Sequence, residues 1–169
     1  MNDVSKMRRM KMIKEISLRD VGKIYEIINE AARAYRNVIP DDCYHEPYMT
    51  KEELRREMKR MTVFGWDAGG DIIGVMGCES VNDGTLVRHA YVFPDLQKMA
   101  VGKKLIDHIK RTATSKRLLV GTWADAIWAI RFYQKHGFKL LHDKGQLLKE
   151  YWDISPRQIE TSVVLGIET

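Results

Sequence analysis

A mixed α/β (α+β) fold is predicted for these 169 residues: a central, mostly antiparallel twisted sheet of about seven strands flanked by about four helices. Three observations predict it. Apolar residues recur at helical spacing behind capping signals, β-branched runs alternate with glycine-rich turns, and one strand passes through a proline turn straight into a helix.

Lys11 to Ile16 reads as the first strand. Ser17 and Asp20 form a capping box behind it, with Ile16 and Val21 as its hydrophobic staple. Val21, Ile24, Tyr25, Ile28, Ala32 and Tyr35 then share one helical face. Pro40 and Pro47 break helix between Asn37 and Tyr48, which is a loop. Thr50 and Glu53 make a second capping box, and Leu54, Met58 and Met61 continue its apolar stripe.

Thr62 to Asp67 and Ile72 to Glu79 are strands joined through Ala68-Gly69-Gly70-Asp71, a hairpin signal. After a turn at Asn82-Asp83-Gly84, Thr85 to Val92 completes an antiparallel meander. Val101, Leu105, Ile109 and Ala113 mark the next helix, Leu118 to Thr122 a buried strand, and Ala126 to His136 a further helix capped by Asp125. Gly137 is its left-handed stop, with His136 a cation at that helix end. Phe138 to Leu141 and Thr161 to Ile167 are the last strands. The insertion between them, about 143–159, holds a short amphipathic helix that covers the sheet edge and is ended by Pro156.

The length suits one domain, 1–169, with residues 1–10 a flexible tail. A content of 44% hydrophobic and 30% charged residues with no long apolar run excludes a helical membrane span, and the basic N-terminus lacks the apolar core of a signal peptide, so the expected location is cytoplasmic. Cys43 and Cys78 lie far apart without clustered histidines, so neither a disulfide framework nor a metal site is expected. The net charge of +5 suits a protein that binds a polyanion. No nucleic-acid motif accompanies the basic residues from Lys6 to Lys14 and Arg55 to Arg60, so solvated helix surfaces are favoured over an RNA face.

The chemistry concentrates between Ala90 and Leu105. Gln97, Lys98, Met99, Ala100, Val101 and Gly102 form a strand-to-helix junction, where exposed main-chain N–H groups, the helix dipole and Lys98, Lys103 and Lys104 favour a diphosphate. It is not a Walker loop, because no Gly-Lys-Ser/Thr follows, and not a Rossmann fingerprint, because the glycines are missing.

Gln97-x-x-Ala100-x-Gly102 resembles the Gln/Arg-x-x-Gly-x-Gly/Ala signature of the GNAT superfamily of N-acetyltransferases. Ala129 to Leu141, with Phe132-Tyr133 and His136-Gly137-Phe138, resembles its second hallmark. The resemblance implies a GNAT-like sheet splayed in the middle, acetyl-CoA as co-substrate, and transfer of acetyl to a primary amine by direct attack. It implies that main-chain groups of Ala90, Tyr91 and Val92 hold pantetheine, that Gln97 to Lys103 hold the pyrophosphate, and that Tyr133 protonates the leaving thiolate. Glu79 and His89 are the candidate bases. Ala100 departs from the family's glycine, and Ala126 stands where many members carry a pantetheine-binding asparagine. The implied partners are an amine-bearing small molecule or protein and, from family habit, a second copy of the chain. The competing reading is a non-catalytic module of the same fold that senses acyl-CoA or binds nucleic acid.

Overall fold

In the computed structural model, which describes residues 10–168, seven strands form one sheet. They are β1 (Met12–Ile16), β2 (Thr62–Asp67), β3 (Ile72–Val81), β4 (Gly84–Val92), β5 (Arg117–Trp123), β6 (Lys139–Leu140) and β7 (Ser162–Glu168). Their order is β1-β2-β3-β4-β5-β7-β6. All pairs are antiparallel except β4 with β5. Six α-helices accompany them, two more than expected: α1 (Val21–Ala32), α2 (Lys51–Met58), α3 (Val101–Thr112), α4 (Ile127–Lys135), α5 (Lys144–Tyr151) and α6 (Pro156–Thr161). The flexible tail expected at residues 1–10 falls, but for Met10, outside the described residues.

Strand alternation sorts the core into two layers. Val87, Leu118, Val120 and Leu165 face α3 and α4, where Val101, Leu105, Ile109 and Ile130 are buried. Their neighbours Leu86, Leu119 and Val164 face the opposite layer and pack on Leu147, Leu148 and Tyr151 of α5. That opposite layer continues under α1 and α2, where Ile24, Ile28 and Leu54 meet Val63 and Val75. The 143–159 insertion therefore covers a face of the sheet, not its edge. Pro156 does not end a helix there: it starts α6 at the first helical position, where its missing N–H costs nothing, behind an N-cap at Ser155.

Other local expectations are corrected by the backbone. Thr50 and Glu53 form their reciprocal capping box, but Ser17 caps Arg19 in a short 3-10 turn and Asp20 contributes no side-chain cap. Asp125 does not cap α4, whose first position follows Ala126. Gly137 does take a positive φ of 92°. At His136 burial lowers the pKa, which works against a positive charge there, with Asp107 pulling the other way and nearby lysines adding to the burial effect.

The β2–β3 hairpin turns on Gly69 and Gly70, both at positive φ. Asp67 accepts from their amides at 2.9 and 2.5 Å and pairs with Lys14 on β1 at 3.0 Å. The amide of Gly70 and then Lys14 hold its carboxyl at about 2, below the ordinary value of 3.8. A depressed carboxylate stabilises the fold above its unfolded pKa and loses that contribution as pH falls through the folded one. Asp67→Asn is therefore expected to lower the urea midpoint at pH 5, and the gap from the parent protein to close as pH approaches about 2.

Candidate active site

Where β4 meets β5, the ladder runs only from Gly84–Arg117 to Val87–Val120. Beyond that point β4 stays with β3 as far as Val92, while β5 stays with β7 as far as Trp123. The sheet therefore splits, and the split opens into a cleft of about 360 Å³. Val87, Ala90 and Tyr91 line one wall, Val120 to Trp123 the other, and Ala129 and Tyr133 of α4 also border it.

A β-bulge lies where the strands part. The β3–β4 register slips between Val75 and Gly77, which pair with Tyr91 and Arg88 respectively, leaving an extra residue on β4. His89 takes a left-handed φ of 49° at that position. The bulge also inverts the alternation: Ala90 and Val92 pack toward the α3 layer, and Tyr91 toward α1.

Phe93 donates to Ile73 O at 3.1 Å, so Tyr91, two residues earlier and opposite Val75, shares the β3-facing orientation. Main-chain groups of Ala90 and Val92 then point into the gap, whereas those of Tyr91 belong to the sheet. Gln97 is not turned outward to an anion but donates its side-chain amide to Val92 O at 3.3 Å, leaving the Val92 N–H as the directed donor.

Pro94–Met99 forms a 3-10 segment that ends on Ala100, and α3 starts at Val101. The first helical bond there runs from Lys104 N to Ala100 O at 3.1 Å, so the amides of Val101, Gly102 and Lys103 lie before it, at the positive end of the dipole. Lys98 and Met99 are exposed. The Lys103 ammonium is bound to Asp107 at 2.5 Å and Lys104 lies 4.3 Å from the Trp66 ring centre, so the anion cradle is mainly main chain. A Cβ on Gly102 would come within 3.1 Å of the Phe132 ring, which keeps that position small. These residues fit a diphosphate joined to an extended arm with amides of its own.

Ala100 occupies the left-handed region, at φ 58° and ψ 25°. An alanine there carries about 1–2 kcal/mol of strain that glycine avoids. Ala100→Gly is expected to raise thermal stability by about 2–4 °C, read by calorimetry, after the entropy of the freer unfolded chain is offset.

Tyr133 is 5% exposed, packs edge-on against Phe132 and Phe138, and borders the cleft with a hydroxyl that makes no hydrogen bond among the described residues. Burial, with a smaller contribution from Tyr35, pushes its pKa well above the usual phenol value. The side chain therefore holds its proton at neutral pH. Ala126 is fully buried beneath Trp123 and Ala32, and its methyl offers no hydrogen bond to a ligand.

The two candidate bases separate. Glu79 lies outside the cleft lining and is held by Arg88 at 2.7 Å and Arg60 at 3.7 Å. His89 lines the cleft, and its Nε2 is hydrogen-bonded to Glu57 of α2. Arg88 bridges Glu57, at 3.0 Å, to Glu79. Burial raises the Glu57 carboxyl, but His89 and Arg88 outweigh it and hold the group below the usual carboxylate value. Sequence reasoning missed Glu57 and Arg88. The available signal was Glu53 and Glu57, four residues apart beside the Leu54 and Met58 stripe, so that both meet the same neighbour.

Tyr35, Tyr48, Tyr91 and Trp123 line the cleft beside α1. Trp123 Nε1 donates to the Tyr48 hydroxyl at 2.8 Å, and the Tyr35 and Tyr91 hydroxyls lie 3.5 Å apart. Trp152 and Asp153, just after α5, close the same cleft from the insertion.

Comparisons with known proteins agree with this geometry. No curated protein matches the chain. Among solved structures it is similar to a PaiA N-acetyltransferase from Thermoplasma acidophilum in complex with coenzyme A, at 17% identity and TM-score 0.71 over 95% of this chain and 99% of that one. It is likewise similar to a GNAT-family acetyltransferase from Staphylococcus aureus Mu50, at 17% identity and TM-score 0.72 over 94% and 99% of the two chains. The ribosomal-protein-S18-alanine N-acetyltransferase of Escherichia coli gives 17% identity and TM-score 0.67 over 94% of each. Residues 24–138 match the acetyltransferase (GNAT) family model, a span holding β4 and β5 where they part, the start of α3 and Tyr133, and the chain belongs to that family.

Proposed function

We propose that the protein is an acetyl-CoA-dependent N-acetyltransferase that passes the acetyl group to a primary amine by direct attack. The observation that carries this reading is the split between β4 and β5, lined by Ala90 and Tyr133, on a strand that runs on through Val92 to the free amides at the start of α3. Acetyl-CoA, when bound, supplies an activated thioester; the chain's residues do the rest.

Amides of Val101, Gly102 and Lys103 hold the diphosphate, and Ala90 and Val92 align the arm as an added strand would be aligned. The Val92 N–H stabilises charge on the carbonyl oxygen. Tyr133 gives its proton to the departing sulfur, and His89, which also lines the cleft, takes the proton from the incoming ammonium. No covalent bond to the protein is needed, and Cys78, half-buried with its thiol pKa raised by burial, is unsuited to supply one. Among the described residues no helix is long and apolar enough to cross a membrane, and the location we propose is the cytoplasm.

Release of free thiol from acetyl-CoA across a panel of primary amines tests the reading, alongside thermal protection by acetyl-CoA. Turnover of at least one amine together with protection is expected. Protection without turnover of any amine would instead support an acyl-CoA sensor, and binding of nucleic acid alone would support the basic-face alternative.

A further inference from the structure

We propose that Glu57 is a positioning residue that fixes the tautomer of His89 and so makes its Nδ1 the proton acceptor for the amine substrate; this rests on the acetyltransferase reading. The argument starts from the bulge. Because His89 is the extra residue on β4, Arg88 and His89 both turn toward α2, where Glu57 receives them together. An ionised carboxylate can only accept, so the imidazole nitrogen bonded to it, Nε2, carries the hydrogen. The neutral ring then has its lone pair on Nδ1, which has no hydrogen-bond partner among the described residues.

Arg88 completes the device. Its guanidinium is shared between Glu57 at 3.0 Å and Glu79 at 2.7 Å, which keeps the Glu57 side chain in place. Glu79 thus reaches the site through Arg88. In the reaction, a proton leaves the ammonium nitrogen for His89 Nδ1, and the imidazolium so formed faces the Glu57 carboxylate. The freed lone pair forms the C–N bond as the C–S bond breaks, and the sulfur takes the hydrogen of Tyr133. The acylated nitrogen then sheds its second proton, which restores the tyrosine, and His89 releases its own to water.

The test reads the imidazole directly and needs no substrate. Protein labelled with ¹⁵N-histidine, with His89→Gln to assign the signal, is expected to show His89 in the Nε2–H form, and Glu57→Ala to return it to a mixture of tautomers. In steady-state kinetics with an amine returned by the thiol-release panel, Glu57→Gln is expected to lower kcat about 100-fold, leave KM for acetyl-CoA within about twofold, and be largely rescued by Glu57→Asp. An Nδ1–H tautomer in the parent protein overturns the proposal, as does a tautomer unchanged in Glu57→Ala or a Glu57→Gln effect confined to KM. If the variants do not fold, the tautomer in the parent protein decides. If no amine is turned over, the acetyltransferase reading fails while the spectra still settle whether Glu57 sets the ring.

Discussion

Replacing Tyr133 by phenylalanine is expected to lower kcat by about 10²- to 10⁴-fold, the span of a lost general acid, with little change in acetyl-CoA affinity. The hydroxyl makes no hydrogen bond among the described residues, so its removal breaks no internal contact, and the ring keeps its edge-on packing with Phe132 and Phe138. Folding stability should therefore move by less than about 1 kcal/mol. Because burial holds the proton on the phenol, the parent enzyme should stay active well into the alkaline range on account of this group. The decisive comparison is chemistry against binding: single-turnover thiol release should fall while the thermal shift caused by acetyl-CoA persists. Equal loss of both would make Tyr133 a packing residue.

Val92→Pro carries the second large effect. Proline deletes one N–H, and at Val92 that N–H points away from β3 into the gap, so the sheet loses no ladder bond. If this donor stabilises charge on the reacting carbonyl, kcat should fall about 10²- to 10³-fold. Tyr91→Pro is the contrasting variant. It removes an N–H that bonds to β3, so it should unfold or destabilise the protein where Val92→Pro does not. Circular dichroism and a urea midpoint separate the two cases before any rate is compared.

Most of the elements were legible because their signals are local. Thr50 and Glu53, Gly69-Gly70, and the spacing of Val101, Leu105 and Ile109 each act within a few residues, and each formed the predicted feature. The misreadings were of a different kind. Pro156 is equally at home after a helix and at the first position of one, and only the Ser155 cap decides which. The two-residue β6 is shorter than Phe138 to Leu141 suggested, since Phe138 is drawn into the core against Tyr133.

The candidate site shows the same division. The α3 cradle and Tyr133 sit on contiguous motifs and could be read along the chain. Glu57 and His89 lie 32 residues apart, and nothing in their local spacing joins them. Simple alternation from Val87 would send His89 to the α3 layer, away from α2; the bulge reverses that by adding one residue to one strand.

By itself, then, the sequence determined where most helices and strands form and which helix start is the candidate anion site, because capping, periodicity and turn chemistry are properties of neighbouring residues. Tertiary structure alone decided that β4 leaves β5 after Val87, that Glu79 is held by Arg88 outside the cleft, and that Glu57 reaches His89. Those outcomes depend on strand register, in which a slip of one residue exchanges the faces of everything that follows.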